Sequence, residues 1–191
     1  MSKTRLCLFV IVIFIAGSIS YTLAATVSPL KGDVLPKINL LIPKNPDEKN
    51  YLGLSGTGTF RIPQIKAKIV IVEVFSMYCP HCQKDAPRIN EMYQMIEDSP
   101  DLKNRIKIIG IGAGNSPFEV EVFKKTYSVP FPLFADKDFS IHKLLGEVRT
   151  PFFVVIKINE DGTHHIVHSQ LGDFQGAHPF LELVMKASGL K

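Results

Sequence analysis

Three stretches of the chain are almost unbroken runs of apolar residues: "AKIVIVEVF" (67–75), "RIKIIGIG" (105–112) and "PFFVVIKI" (151–158). They are rich in β-branched side chains and do not alternate, which marks strands buried on both faces. Helical signals fall between them. Pro80 opens a helix predicted to run to about Glu97, and Pro87 should kink it by removing an intrahelical bond. Ser116 predicts the cap of a second helix, with Pro117 first inside, Glu119 in the first turn and an end near Tyr127. "FPLF" (131–134) predicts a short strand and "DFSIHKLLG" (138–146) a short helix closed by glycine. "NEDG" (159–162) predicts a hairpin turn, "HHIVHSQL" (164–171) a returning strand, and residues 176–188 a last helix. Residues 28–63, rich in Pro, Gly, Asn and Lys, predict an extended lead-in with one capping strand in "KINLLI" (37–42). The order predicts an α/β domain, with a central mixed sheet flanked by helices and an antiparallel edge.

The N-terminus breaks this rhythm. "MSKTR" is a short basic head, and no charge follows from Leu6 to Leu30. That is the pattern of an export segment. Cleavage after Ala24, with Thr22 two before it, and an uncut membrane anchor through residues 6–25 both fit. Either places the remainder outside the cytoplasm. Three units result: the export segment at 1–25, the lead-in at 26–66 and the main domain at 67–191. The net charge of +4 includes Lys3 and Arg5 of that head. What is left is too weak to argue for nucleic acid or an acidic partner.

Three cysteines occur, and Cys7 lies in the export segment. Cys79 and Cys82 are therefore the thiols of the mature domain, in "SMYCPHCQKDAP" (76–87). A pair this close encloses too short a loop to add much stability, so its value is chemical. A redox couple and half of a metal site both remain open. At a helix start, unpaired N–H groups and the dipole favour a thiolate at Cys79. Cys82, one turn in, would resolve a mixed disulfide. His81 between them would stabilise the thiolate as a cation or donor, which makes such a couple more oxidising. Glu73 interrupts an apolar strand, where an unpaired charge is disfavoured by several kcal/mol; it should be neutral with a raised pKa, or hydrogen-bonded.

The element order with CxxC at the first strand-to-helix junction resembles the thioredoxin fold. More closely, it resembles the extracytoplasmic thiol-disulfide oxidoreductases, the TlpA/ResA-like redoxins, which carry an extra β-α unit before the C-terminal hairpin. The motif Cys79-Pro80-His81-Cys82 matches their active site. Pro87 falls at their helix kink, Glu73 where thioredoxins bury an acid, and Asp85 where the extracytoplasmic reductases have one. Asp85 reads equally well as a first-turn acid offsetting the helix dipole. Thr150-Pro151 falls at their cis-proline and Gly172 at their groove glycine. Tyr78 departs from their usual Trp, and Asp85 is a methylene shorter than their Glu.

The resemblance implies several things about the site. Glu73 would lie beneath Cys82 and take its proton. A cis Pro151 would leave the Thr150 backbone free to pair with a substrate strand beside the cysteines, and would keep metal from the sulfurs. Pro80, Thr150, Pro151 and Gly172 would then be substrate-binding residues. The implied activity is exchange with protein disulfides, without cofactor or metal, recharged by a membrane electron-donor protein. One implied use is keeping thiols reduced for cytochrome c maturation. The Pro-His pair points towards oxidation and Thr150 towards reduction or isomerisation; reduction leads.

Two rivals have different chemistry. A peroxiredoxin-type peroxidase fits Ser76, but Val72 stands where its motif requires proline. A copper chaperone on the same fold would use both cysteines and a remote histidine. His164, His165 and His168 look like metal ligands, but a strand separates the outer two by about 13 Å. "GIGAGNSP" (110–117) is similar to a phosphate-binding glycine loop, but Asn115 replaces its third glycine. Phe131, Phe134, Phe152 and Phe153 read as core rather than a cofactor box.

Overall fold

The computed structural model describes residues 32–172 and 176–190. The predicted export segment, with Cys7, lies outside the described residues. Among the described residues no helix is long and apolar enough to cross a membrane.

A five-stranded mixed sheet forms the centre. Its strands are β3 (Ile69–Phe75), β4 (Ile106–Ala113), β5 (Leu133–Asp136), β6 (Phe152–Ile158) and β7 (His164–Leu171). They lie in the order β5-β4-β3-β6-β7. β3, β4 and β5 run parallel, and β6 is antiparallel to both β3 and β7. Every residue of β3 is buried, as its unbroken apolar run predicts. Successive side chains point to opposite faces. Ile69, Ile71 and Phe75 pack with α2 (Pro80–Asp98) and α5 (Ala177–Ser188), through Ile89, Met92, Phe180 and Val184. Val70, Val72 and Val74 pack on the other side. Glu73 shares the parity of Ile71 and Phe75, so it projects to the α2 side. α3 (Pro117–Thr126) adds Val120 and Phe123 to that layer. α4 (Ser140–Leu144) adds Ile141 to the opposite one.

The lead-in differs from expectation. Its strand β1 (Asn39–Leu41) pairs antiparallel with a second strand, β2 (Thr59–Arg61), and a helix, α1 (Pro46–Tyr51), lies between them. Asn45 caps that helix by accepting the Asp47 N–H at 2.8 Å, and Pro46 and two acids fill its first turn. Leu35, Ile38, Leu40, Phe60 and Ile62 pack with Val70, Val72 and Val74, so the lead-in covers a sheet face.

The strand expected at 131–134 runs from Leu133 to Asp136. Pro132 has no N–H to give the ladder; its carbonyl accepts from Gly110 N–H at 3.0 Å, and pairing continues beyond it. The short helix is confined to Ser140–Leu144, because Phe139 before it takes a left-handed φ of 59° and Gly146 after it a φ of 83°.

Candidate active site

β3 ends at Phe75, and its chain turns through Ser76–Cys79 into α2. The Cys79 N–H closes this turn on the Ser76 carbonyl at 3.0 Å. Cys79 is the N-cap of α2, and its sulfur accepts from the Cys82 N–H at 3.4 Å. Pro80 follows at the first helical position, where the absent N–H loses nothing. The cap sequence therefore does two things: it starts the helix and aims free backbone donors at one sulfur.

The two thiols differ sharply. Cys79 is partly exposed, Cys82 has no exposed surface, and both are free. Burial raises Cys79, but hydrogen bonds from the Cys82 thiol, the Thr150 side chain and the Cys82 and His81 backbone N–H groups outweigh it, leaving Cys79 below a free thiol. Burial pushes Cys82 well up, and its hydrogen bond to Cys79 and the charges of Glu73 and Cys79 push the same way.

Glu73 is 2% exposed, between Gly110 of β4 and Phe153 of β6. Burial, then the charges of Asp85 and Cys79, push it up to about 8. Its Oε1 has no hydrogen-bond partner among the described residues. Asp85 is 1% exposed, with Arg88 Nη1 at 3.4 Å from its Oδ1. It faces inward from α2, so it is not a solvated first-turn acid.

The Thr150-Pro151 peptide bond is cis. It carries the Thr150 carbonyl to 3.3 Å from the Cys79 sulfur. The Pro151 carbonyl accepts the Gly172 N–H at 2.8 Å, and Gly172 has a φ of 80°, a conformation natural to glycine. Cys79, Cys82, Glu73, Asp85, Thr150, Pro151 and Gly172 thus converge at one end of the sheet. The His81 side chain is exposed to solvent, and its contribution to Cys79 comes from the backbone N–H. Between the Ser76–Cys79 turn and Thr150 lies a groove of about 430 Å³, bounded by Ser76, Tyr78, Gly114, Phe139, Arg149 and Thr150.

Three residues that reach this site, Asn115, Gln83 and Glu119, have nothing in their sequence pattern that assigns them to it. Asn115 Oδ1 accepts the Met77 N–H at 2.8 Å, and Gln83 Nε2 donates to the Met77 carbonyl at 2.7 Å. The Tyr78 hydroxyl bonds Glu119, which also closes the capping box of α3 with Ser116. The glycines that imitate a phosphate loop answer to packing. A Cβ at Gly110 would meet Leu133 at 2.4 Å, and one at Gly112 would meet Val120 at 2.9 Å. The three histidines at 164, 165 and 168 lie on β7, in strand positions.

The class that this fold and paired-sulfur site define is the thioredoxin-fold thiol-disulfide oxidoreductase. Residues 33–167 match the model of the AhpC/TSA family, and the chain belongs to that family. It is similar to the thiol-disulfide oxidoreductase ResA of Bacillus cereus, 27% identical over 164 residues and covering 85% of this chain and 86% of the relative. The ResA of Halalkalibacterium halodurans is 25% identical over 126 residues, covering 66% of this chain and 68% of its own. Two solved structures share the fold. StoA from Bacillus subtilis has a TM-score of 0.54 at 21% identity, over 78% of this chain and 97% of its own. The thioredoxin domain of a Bacteroides vulgatus thiol-disulfide oxidoreductase has a TM-score of 0.59 at 17% identity, over 82% and 99%.

Proposed function

We propose that the chain reduces disulfides in protein substrates outside the cytoplasm, through the Cys79-Pro80-His81-Cys82 couple. The observation that carries exchange at this couple is the asymmetry of the sulfurs, one accessible and acidic, the other enclosed and held as a thiol; the direction, reduction, rests on Thr150 before the cis Pro151. The Cys79 thiolate attacks one substrate sulfur; the substrate S–S bond breaks and one substrate thiolate leaves. The mixed disulfide places substrate beside Thr150, whose backbone pairs with it, while Pro80, Pro151 and Gly172 line the approach. With Cys79 held in the mixed disulfide its charge no longer opposes ionisation of Glu73, and Cys82 gives its proton to the Glu73 carboxylate and attacks the Cys79 sulfur. The second substrate thiolate leaves, and Cys79–Cys82 closes. Two electrons have passed from protein to substrate.

Glu73 suits the proton step because its pKa is near neutrality and close to the resolving thiol. Asp85 supports it by raising Glu73 further. His81 acts through its backbone N–H, which helps hold the Cys79 thiolate, while its side chain is exposed. A membrane electron-donor protein restores the dithiol. The basic head and uncharged run at 6–30 support export, and the relatives named ResA support exchange at protein thiols.

Insulin reduction by wild type and Cys79→Ser tests the reading. Wild type should precipitate the insulin B chain and the variant should not; equal rates would remove Cys79 as nucleophile. Peroxide turnover retained by Cys82→Ser would move the chain to the peroxidase class.

A further inference from the structure

The nucleophile's turn is gripped from outside. Within Ser76–Cys79 the Met77 backbone is held in the two peptide groups that flank its Cα, the N–H by Asn115 and the carbonyl by Gln83. Gln83 follows Cys82 on α2, whereas Asn115 comes from the β4–α3 turn, 38 residues away along the chain. Asn115 has no exposed surface, and its Nδ2 is buried without a hydrogen-bond partner among the described residues. Leaving half an amide unsatisfied is destabilising. The surroundings are shaped to it: a Cβ at Gly112 would come 3.1 Å from Asn115 Oδ1 and 3.2 Å from its Cβ.

We propose that Asn115 is a positioning residue for Cys79: by accepting the Met77 N–H it fixes the Ser76–Cys79 turn, and so keeps the Cys79 sulfur within reach of the Cys82 N–H and Thr150. This deepens the assignment of Cys79 as nucleophile and rests on it. The sulfur lies 3.4 Å from the Cys82 nitrogen, so a small outward slide of the turn weakens the contact that steadies the thiolate. Gln83 holds the next peptide of the same turn from the helix side. The two side chains therefore form one clamp, and releasing either frees the turn.

Asn115→Ala, Gln83→Ala and the double variant, each in the full chain, test this. Thiolate ultraviolet absorbance gives the Cys79 titration. The rate with Ellman's reagent, a small disulfide that needs no docking surface, gives reactivity against pH. In each single variant the Cys79 midpoint should move up towards that of free cysteine. The rate near neutrality should fall about tenfold, the factor one ordinary hydrogen bond is worth. The double variant should be little worse than the weaker single. A wild-type titration in Asn115→Ala, or effects that multiply in the double variant, would overturn the clamp. Should Asn115→Ala not fold, Gln83→Ala on the half-buried helix face decides alone, and a wild-type titration there refutes the proposal. A free-cysteine titration in wild type itself would instead remove the nucleophile assignment.

Discussion

Replacing Glu73 by glutamine keeps the shape of the side chain and removes its ionisation. Folded, Glu73 is raised from 4.5 to about 8 by burial and by the charges of Asp85 and Cys79. Unfolded, it titrates at the ordinary value. Below the unfolded value both states hold the proton, and the stability contribution is whole. Between the two values the unfolded chain releases the proton while the folded chain keeps it. Stability therefore falls as pH rises, by about 1.4 kcal/mol per unit. Above the folded value both states are ionised, and the loss levels off at about 5 kcal/mol. At neutral pH it amounts to about 3 kcal/mol. The glutamine variant escapes this loss, although its buried NH₂ group offsets part of the gain. Urea unfolding of reduced wild type and Glu73→Gln at about pH 5 and about pH 8 measures it, because groups common to both proteins cancel in the difference. The variant should gain about 4 kcal/mol on wild type between those conditions. Curves that stay parallel across the range would refute the buried, proton-holding carboxyl. The same substitution should slow closure of the Cys79–Cys82 disulfide, since the Cys82 proton loses its acceptor.

The remaining expectations concern the sulfurs and the frame. Cys82→Ser should trap substrates as mixed disulfides on Cys79, seen by mass spectrometry; a variant that accumulates none contradicts the order of attack. Iodoacetamide at neutral pH should label reduced Cys79 at least about tenfold faster than Cys82, one thiol being acidic and accessible and the other raised and enclosed. Equal labelling would contradict that asymmetry. Ser116→Ala breaks the capping box of α3 and should lower stability by about 1 kcal/mol in urea unfolding, whereas no loss would show the cap to be redundant.

Much of the frame is legible in the chain because its signals are local. The unbroken run of β3, the proline at the start of α2 and the Ser116–Glu119 box each fix an element within a few residues. The acidity of Cys79 follows from its place at a helix cap, and the burial of Glu73 from an acid inside a two-sided strand. The lead-in was harder. Its Asn45-Pro46-Asp47 start is a proper cap signal, but α1 has no buried residue of its own and so no apolar periodicity to show. β1 and β2 are three residues each and exist because they pair across α1 and bury Leu40 and Phe60. Asn115, Gln83 and Glu119 were not legible as site residues, since each acts through a partner in another segment. His81 sits in the motif, yet its ring points to solvent and its backbone faces the sulfur. Which atoms of a residue are used is decided by the helix, not by residue type.

The reduction potential of the Cys79–Cys82 couple tests the central claim most directly, measured by equilibrating the full chain with dithiothreitol or glutathione buffers and quantifying free thiols. A donor of electrons to protein disulfides should lie near the thioredoxin value of about −270 mV. A potential near about −120 mV, that of a strong oxidase, would contradict the account.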